Sequence, residues 1–426
     1  MKILAIETSC DETAISIVEA KGRLPAGRPG IKQPSFNVLA NVVSSQAMLH
    51  AKWGGVVPNL AKREHQLNLV PVIREALDKA KIKSQPARQQ GGKAKIKAKD
   101  QKWTSLAEKI RKILARETEL IALFLDFIKT SEVPRIDAIA VTRGPGLEPA
   151  LWVGINLAKA MALAWGKPLI PINHMEGHIY SVLIQNSTVK TGIEFPALAL
   201  LVSGGHTELV LIKDWLKHKI IGQTLDDAVG EAFDKAARLL GLPYPGGPEI
   251  SKLAKKHDTR GLPSVATEGN PRVQLPRPML HSPDFNFSYS GLKTAVLYLV
   301  NKLRAANPDG NLTDEQKIML AYEFEQAAVE VLIKKTAKAI AKFKPKTLII
   351  AGGVAANQEL GRQAEEMIEA INAQAVKPDS KIKLLISTRE FSTDNATMIA
   401  VAAYLHLQKK TRIPKNFTAD GGLVLK

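Results

Sequence analysis

Residues 197–213 read ALALLVSGGHTELVLIK. An apolar run from Ala197 to Val202 meets the turn Ser203-Gly204-Gly205-His206, and a second apolar run follows from Leu209 to Ile212. Short apolar runs bounded by turn residues predict buried strands. The two glycines let the backbone turn tightly and leave its N–H groups open to an anion, although a glycine turn between strands needs no ligand. The same plan recurs outward from this segment. Near the N-terminus Ile3-Leu-Ala-Ile6 runs into Glu7-Thr-Ser-Cys-Asp-Glu-Thr13, and Thr347-Leu-Ile-Ile-Ala351 runs into Gly-Gly-Val-Ala-Ala-Asn357. A strand followed by a functional-looking turn in each half suggests two related lobes with a cleft between them. A further strand is expected at 136–141. Helix-period segments lie at 60–77, 153–165, 227–240, 313–343 and 395–407. Strands alternating with helices predict an α/β fold of helix-covered sheets.

The chain has 426 residues, 45% hydrophobic and 23% charged, which excludes wholesale disorder and supplies more than one core. Lys plus Arg number 59 against 41 Asp plus Glu, a formal net charge of +18 that points to a polyanionic partner, nucleic acid before membrane. Cys10 is the single cysteine, so an internal disulfide and a cysteine-only zinc site are excluded and a reducing cytoplasm fits. The apolar stretch at the N-terminus is too short for a secretory signal, and no run reaches the roughly 18 apolar residues of a membrane span. Two stretches read as insertions. Residues 21–35, rich in Gly, Pro and Arg, predict an exposed loop. Residues 81–102 carry eight basic residues against one acid, Asp100, and predict a disordered segment, either a solvated tail or a nucleic-acid arm, with helical periodicity resuming at Trp103.

His174-Met-Glu-Gly-His178 places two imidazoles at i and i+4, on one face of a helix, where both can reach one metal. The glutamate stands two residues after the first histidine, so the zinc-protease arrangement is absent. A third ligand is needed. Asp394 is a candidate, with helix N-capping as its alternative role. Asp226, Asp227, Glu231 and Asp234 recur at helical spacing and equally suit a solvated face. Tyr244-Pro-Gly-Gly-Pro-Glu249 predicts a stiff, tight loop. Asn357 follows a glycine pair that lets a planar ligand approach the backbone, and its amide can bond a ribose or a base. Acids and hydroxyls in 7–13 suit phosphate–metal or proton-transfer work, or a turn with a helix cap.

These segments occur in a telling order: MKILAIETSCDET (1–13), SSQAMLHAKWGGVVPNLAKREH (44–65), TRGPGLEPALWVGINLAKAMA (142–162), NHMEGH (173–178), LLVSGGHTEL (200–209), DDAVGEAFDKAARLLGLPYPGGP (226–248), FSYSGLKTAV (287–296), IAGGVAANQEL (350–360) and STDNATMIA (392–400). In that order they resemble the TsaD family, the tRNA threonylcarbamoyladenosine transferases once labelled glycoproteases. The resemblance covers nearly the whole chain outside the two insertions. It implies the actin-like fold shared with sugar kinases and the heat-shock chaperone ATPase. It implies an acyltransferase that moves a threonylcarbamoyl group from threonylcarbamoyl-AMP to N6 of the adenosine beside the anticodon, in tRNAs reading codons that begin with A, with release of AMP.

The family's metal ligands fall on His174, His178 and Asp394, for one divalent ion, iron or zinc. Its substrate-contacting positions fall on Val202, Ser203, Gly204, Gly205, His206, Asp234, Gly247 and Asn357, and Asp11 and Glu12 resemble the segment implicated in catalysis. The implied partners are tRNA, a TsaB-like paralogue and a TsaE-like ATPase, with no membrane. The expected domains are 1–195 for the first lobe, interrupted near 21–35 and 81–130, and 196–390 for the second; 391–426 is expected to pack back on the first. Two positions depart from the family pattern. Asn59 stands where glutamate is common, and Ser251 where aspartate is common, which removes one acceptor for ribose hydroxyls. Rival readings are an ATPase or phosphotransferase of the same fold, which has no need of the histidine pair, and a non-catalytic tRNA scaffold, which leaves that pair and the glycine turns unused.

Overall fold

The apolar run Ile3 to Ile6 lies inside the strand β1 (Lys2–Glu7) of a computed structural model. The structure describes residues 1–24, 34–82, 93–184, 192–259, 274–375, 377, 380–414 and 416–425, with backbone alone for 93–100, 258 and 259. The chain divides into two units. Unit 1 comprises Met1–Ala47, Val56–Val189 and Asp394–Leu425; unit 2 comprises Met48–Gly55 and Lys190–Thr393.

In unit 1, β1 is followed by β2 (Glu12–Lys21), β3 (Ser35–Ser45), β4 (Ala138–Gly144) and β5 (Leu169–Asn173). They form one sheet in the order β3-β2-β1-β4-β5. β1 and β3 both run antiparallel to β2, whereas β1, β4 and β5 are mutually parallel. Unit 2 contains β6 (Ala197–Val202), β7 (Thr207–Asp214), β8 (Lys217–Gln223), β9 (Thr347–Ala351) and β10 (Lys383–Ile386). Its order is β10-β9-β6-β7-β8, with β6, β7 and β8 antiparallel and β6, β9 and β10 parallel. The two sheets therefore have one topology. Each is a three-strand meander whose first strand pairs on its other edge with a parallel strand, and that strand with a second parallel one, both reached through helical crossovers. This duplicated βββαβαβ plan is the actin-like fold.

β6 and β9 are buried along their whole length and β1 nearly so, because each has a neighbour on both edges. That double burial makes them continuous apolar runs. The cores are separate. Leu4, Ile6, Ile139 and Val141 pack with helices Pro58–Lys79 and Glu148–Trp165 in unit 1. Leu198, Leu200, Leu348 and Ile350 pack with helices Val229–Leu239 and Asp314–Phe343 in unit 2. The long helix begins at a capping box, Thr313 with Gln316, which satisfies two of its first N–H groups.

Three local expectations are corrected. The helix-cap reading of 7–13 gives way to a hairpin, since β2 begins at Glu12. The loop expected at 244–249 becomes helical from Gly246, because the Asp234 carboxylate accepts the Gly246 N–H at 2.7 Å and caps the new helix Gly246–Thr259. The disordered segment expected over 81–102 is helical from Lys93, the start of Lys93–Ile113. Alanine and lysine there are good helix formers, and the apolar periodicity beyond Trp103 supplies the anchoring turn. The rest of that call, 83–92, and residues 25–33 of the first insertion lie outside the described residues. No helix among the described residues is long and apolar enough to cross a membrane.

Candidate functional site

In open α/β sheets ligands bind outside the carboxyl ends of parallel strands. In unit 1 those ends are Glu7 of β1, Gly144 of β4 and Asn173 of β5. The Asn173 side chain accepts the N–H groups of Met175 and Glu176 and so starts the helix His174–Ser181 where β5 stops. The i, i+4 spacing then stacks His174 above His178, with ring centroids 4.6 Å apart and planes at 86°.

Asp394 arrives from far along the chain. The capping role considered for it falls to Asn395, whose Oδ1 accepts the Met398 N–H at 3.1 Å and begins the helix Ala396–Gln408. That helix packs tightly on the histidine helix at Gly177, where a Cβ would come within 3.0 Å of Ile399 and Met398. Asp394 Oδ1 lies 3.3 Å from His174 Nε2 and 3.2 Å from His178 Nε2. The ligand atoms of the three residues all fall within 4.8 Å of one another.

The donor set fits a divalent cation: two imidazole nitrogens and one carboxylate suit zinc or iron. The electrostatics also call for a positive charge there. Burial opposes a charged His174, but Asp394 and Glu7 outweigh it and hold that imidazole well above its ordinary value. Burial pushes His178 down. Asp394 is held well below the carboxylate range, because the two imidazoles overcome its own desolvation. The Nδ1 of His178 is buried and has no hydrogen-bond partner.

Asp11 is buried and Glu12 partly so, at the start of β2. Burial first, then the charges of Asp11 and Asp394, raise the Glu12 carboxyl well above its ordinary value. A carboxylate raised in this way is a stronger proton acceptor. Burial first, then the charges of Asp11, Asp394 and Glu12, push the Cys10 thiol up as well, which disfavours its thiolate.

In unit 2 the equivalent strand ends carry glycine. Ser203 closes its turn with His206: its N–H donates to the His206 carbonyl at 2.8 Å, and its Oγ accepts the His206 N–H at 3.1 Å. Gly204 and Gly205 are exposed, and a Cβ on either would meet nothing within 4 Å. The first N–H groups of helix Val229–Leu239 are spent on Thr207 Oγ1 and the Ser203 carbonyl, so the turn is braced from beneath. Gly352, at φ +95, lies so close to Val202 that a Cβ would sit 2.4 Å from its carbonyl oxygen. The turns after β6 and β9 thus adjoin, and Ser203, Gly204, Gly205 and His206 form one side of an open strand-end surface, whereas Val202, expected beside them, is 0% exposed with its side chain in the core of unit 2.

Asp234 and Asn357 serve the scaffold of that surface. Asp234 caps helix Gly246–Thr259, with Gly247 in its first turn. Asn357 caps helix Gln358–Ala373 through Leu360 N–H and donates to Glu325 Oε1 at 2.7 Å and Ser251 Oγ at 3.0 Å. Sequence reasoning did not single out Glu325, which is buried, and took Glu7, which is 0% exposed, only as one of the acids of 7–13. Their signal was a carboxylate at a position otherwise reserved for apolar residues: a helix face flanked by Ala321 and Ala328 for Glu325, the last residue of a buried strand for Glu7.

The family model for TsaD, tRNA N6-adenosine threonylcarbamoyltransferase, matches residues 37–87 and 118–401. A tRNA N6-adenosine threonylcarbamoyltransferase of Thermosipho africanus is 40% identical over 404 residues, covering 95% of this chain and 94% of that one. Its namesake in Moorella thermoacetica is 38% identical and covers 99% and 97%. That of Burkholderia thailandensis is 39% identical and covers 100% and 97%. Among solved structures, a ROK hexokinase from Thermus thermophilus aligns at 12% identity and TM-score 0.44 over 96% of this chain and 100% of that one. YeaZ from Pseudomonas aeruginosa aligns at 13% identity and TM-score 0.24 over 52% and 65%.

Proposed function

The chain belongs to the TsaD family of tRNA N6-adenosine threonylcarbamoyltransferases, and from that premise we propose that it carries a threonylcarbamoyl group from threonylcarbamoyl-AMP to N6 of the adenosine beside the anticodon. The product is N6-threonylcarbamoyladenosine in tRNA, and AMP is released. One observation carries the reading into this chain's own residues: the convergence of His174, His178 and Asp394, a donor set that phosphoryl transfer on the same fold does not require.

Adenine N6 is a weak nucleophile, because its lone pair is delocalised into the ring. The acyl-adenylate brings its own activation, so the protein supplies placement and charge stabilisation. We assign the AMP phosphate to the Ser203–Gly204–Gly205–His206 turn, whose glycines leave room for an anion against the backbone. Asp234, Gly247 and Asn357 frame the nucleoside part of that surface through the two helices they start or cap. His174, His178 and Asp394 would hold one divalent ion, which polarises substrate oxygens when bound. As N6 bonds to the carbamoyl carbon, the bond from that carbon to the AMP phosphate oxygen breaks and N6 gives up a proton. Glu12, with its raised carboxyl, accepts that proton, and Asp11 beside it supports the raised value. A TsaB-like paralogue and a TsaE-like ATPase complete the proposed assembly on tRNA.

The test is to incubate the protein with threonylcarbamoyl-AMP, tRNA and those partners, and to measure modified nucleoside and AMP. Equal amounts of the two are expected. No modified nucleoside in that mixture, together with phosphate release from ATP by this chain without the ATPase partner, would return the chain to the phosphotransferase reading.

A further inference from the structure

A carboxylate in a dry interior is costly unless donors surround it. Glu7 is 0% exposed, at the last position of β1, and it has those donors. Its Oε1 accepts the Ser9 N–H at 2.5 Å, and its Oε2 accepts the Thr142 hydroxyl at 2.6 Å. The same Oε2 lies 3.0 Å from His174 Nδ1. Ser9 Oγ stands 3.2 Å from that nitrogen as well.

The geometry points to Glu7 as a positioning residue that locks the ring of His174 and keeps hydrogen on Nδ1, so that Nε2 presents its lone pair to the cation. This inference rests on the reading of His174, His178 and Asp394 as metal ligands. Both Glu7 oxygens already accept, Oε1 from the Ser9 N–H and Oε2 from the Thr142 hydroxyl, so at Oε2 the imidazole is placed as a further donor. Hydrogen therefore sits on Nδ1. The other nitrogen, Nε2, is the one that faces Asp394 Oδ1 at 3.3 Å and His178 Nε2 at 3.1 Å. The two distant partners of Glu7 come from neighbouring parallel strands, Thr142 from β4 and His174 from the helix that starts where β5 stops, so the clamp is built into the sheet. His178 has no such clamp. Its Nδ1 is buried without a partner, and its ring is held only from the Nε2 side, by Asp394 Oδ1 at 3.2 Å and His174 Nε2 at 3.1 Å. Of the two imidazoles, His174 is the one whose basicity and direction the protein sets. Carboxylates behind ligating histidines typically account for about 10–100-fold in metal affinity.

The experiment measures Zn2+ affinity by chelator competition and the visible spectrum of the Co2+-loaded protein, for the intact chain and for Glu7→Gln, Thr142→Val and Asp394→Ala. Expected are a Zn2+ dissociation constant raised about 10–100-fold in Glu7→Gln, a changed Co2+ spectrum, and a metal-free melting temperature close to that of the unmodified protein. A merely structural Glu7 would lower that melting temperature and leave affinity and spectrum alone, which overturns the inference. Should Glu7→Gln fail to fold, Thr142→Val decides. Losing the hydroxyl that anchors Oε2 should weaken Zn2+ by a smaller factor, and unchanged affinity overturns the inference. Zn2+ bound by the unmodified protein and lost in Asp394→Ala, yet retained at full strength in Glu7→Gln, removes Glu7 and leaves the ligand set standing. No Zn2+ or Co2+ binding by the unmodified protein removes both.

Discussion

The two sheets share one strand order, and the ends of equivalent strands carry opposite chemistry. Where β1, β4 and β5 stop, acids and imidazoles crowd together: Glu7, Asp11, Glu12, His174, His178 and, from the chain's last third, Asp394. Where β6 and β9 stop, the side chains vanish and glycines leave the backbone bare. The scaffold decides where a site lies, at the open carboxyl ends of parallel strands. The residue types decide its character: a buried knot of acids and imidazoles at one, an exposed glycine turn with bare backbone at the other. The contrast extends to single carboxylates. Glu7 is surrounded by donors, whereas Glu208 of β7 has a buried Oε2 without a hydrogen-bond partner and is pushed by burial up to about 7.

Removing a member of the charged knot should produce the largest effect. His174→Ala leaves two ligands, so Zn2+ affinity should drop by orders of magnitude and transfer should become undetectable, while the metal-free protein keeps a cooperative melt. Metal content at the unmodified level in that variant would break the comparison at its charged end.

Glu12→Gln should come next. General bases contribute about 10²–10⁴-fold, so the transfer rate should fall by that factor with metal content unchanged. The raised carboxyl also sets a direction for pH. The base form is lost as pH falls through that raised value, so the native rate should decline at a higher pH than an ordinary glutamate would give. A pH–rate profile that is flat down to the ordinary glutamate range would take Glu12 out of the proton transfer.

Glu208→Gln sharpens the contrast between satisfied and unsatisfied carboxylates. The folded protein keeps the Glu208 proton up to about 7, while the unfolded chain releases it at the ordinary glutamate value, about 4.3. The native state thus loses stability as pH rises between those values and stays lower above them. The variant should be more stable than the native protein at pH 8, by roughly 1–3 kcal/mol, and no more stable at pH 4. Urea unfolding at both pH values measures this.

The smallest effect should come from the glycine ledge. Gly205→Ala meets nothing within 4 Å, so folding should be untouched, and binding of a stable threonylcarbamoyl-AMP analogue should weaken about tenfold, roughly 1.4 kcal/mol. Gly352→Ala should instead lose stability, because its Cβ would collide with the Val202 carbonyl. Equal stability losses in both variants would show that the two glycines do the same structural job.

Much of this was legible before any coordinates. Strands β1, β4, β6, β7 and β9 announce themselves as apolar runs, and the helices Pro58–Lys79, Glu148–Trp165, Val229–Leu239, Asp314–Phe343 and Ala396–Gln408 by their period, whereas Ser290–Ala306 and Gln358–Ala373 were not read from it. Strands β2, β3, β5, β8 and β10 are harder to see. β3 (SFNVLANVVSS) lies at a sheet edge and is largely half-buried or exposed, and β8 (KHKIIGQ) mixes lysines with its apolar residues. Edge strands bury too little for composition to mark them. Lys93–Ile113 hid for another reason: its first turns have good helix formers but no apolar stripe.

The amino-acid sequence by itself determined the histidine pair, the glycine turns, and the separation of acid-rich from glycine-rich strand ends. Each of these rests on neighbours within a few residues, where helical and strand periods dictate which side chains share a face. Only the tertiary structure decided that Asn395 rather than Asp394 caps its helix, that Asp234 and Asn357 hold up the ledge, and that Glu7 stands behind His174. Besides the nearby Ser9 N–H, the partners of Glu7 lie 135 and 167 residues away, at Thr142 and His174. No local spacing encodes that meeting; it follows from β1 lying beside β4, and β4 beside β5, in a sheet whose buried carboxylate has to find its donors across the strands.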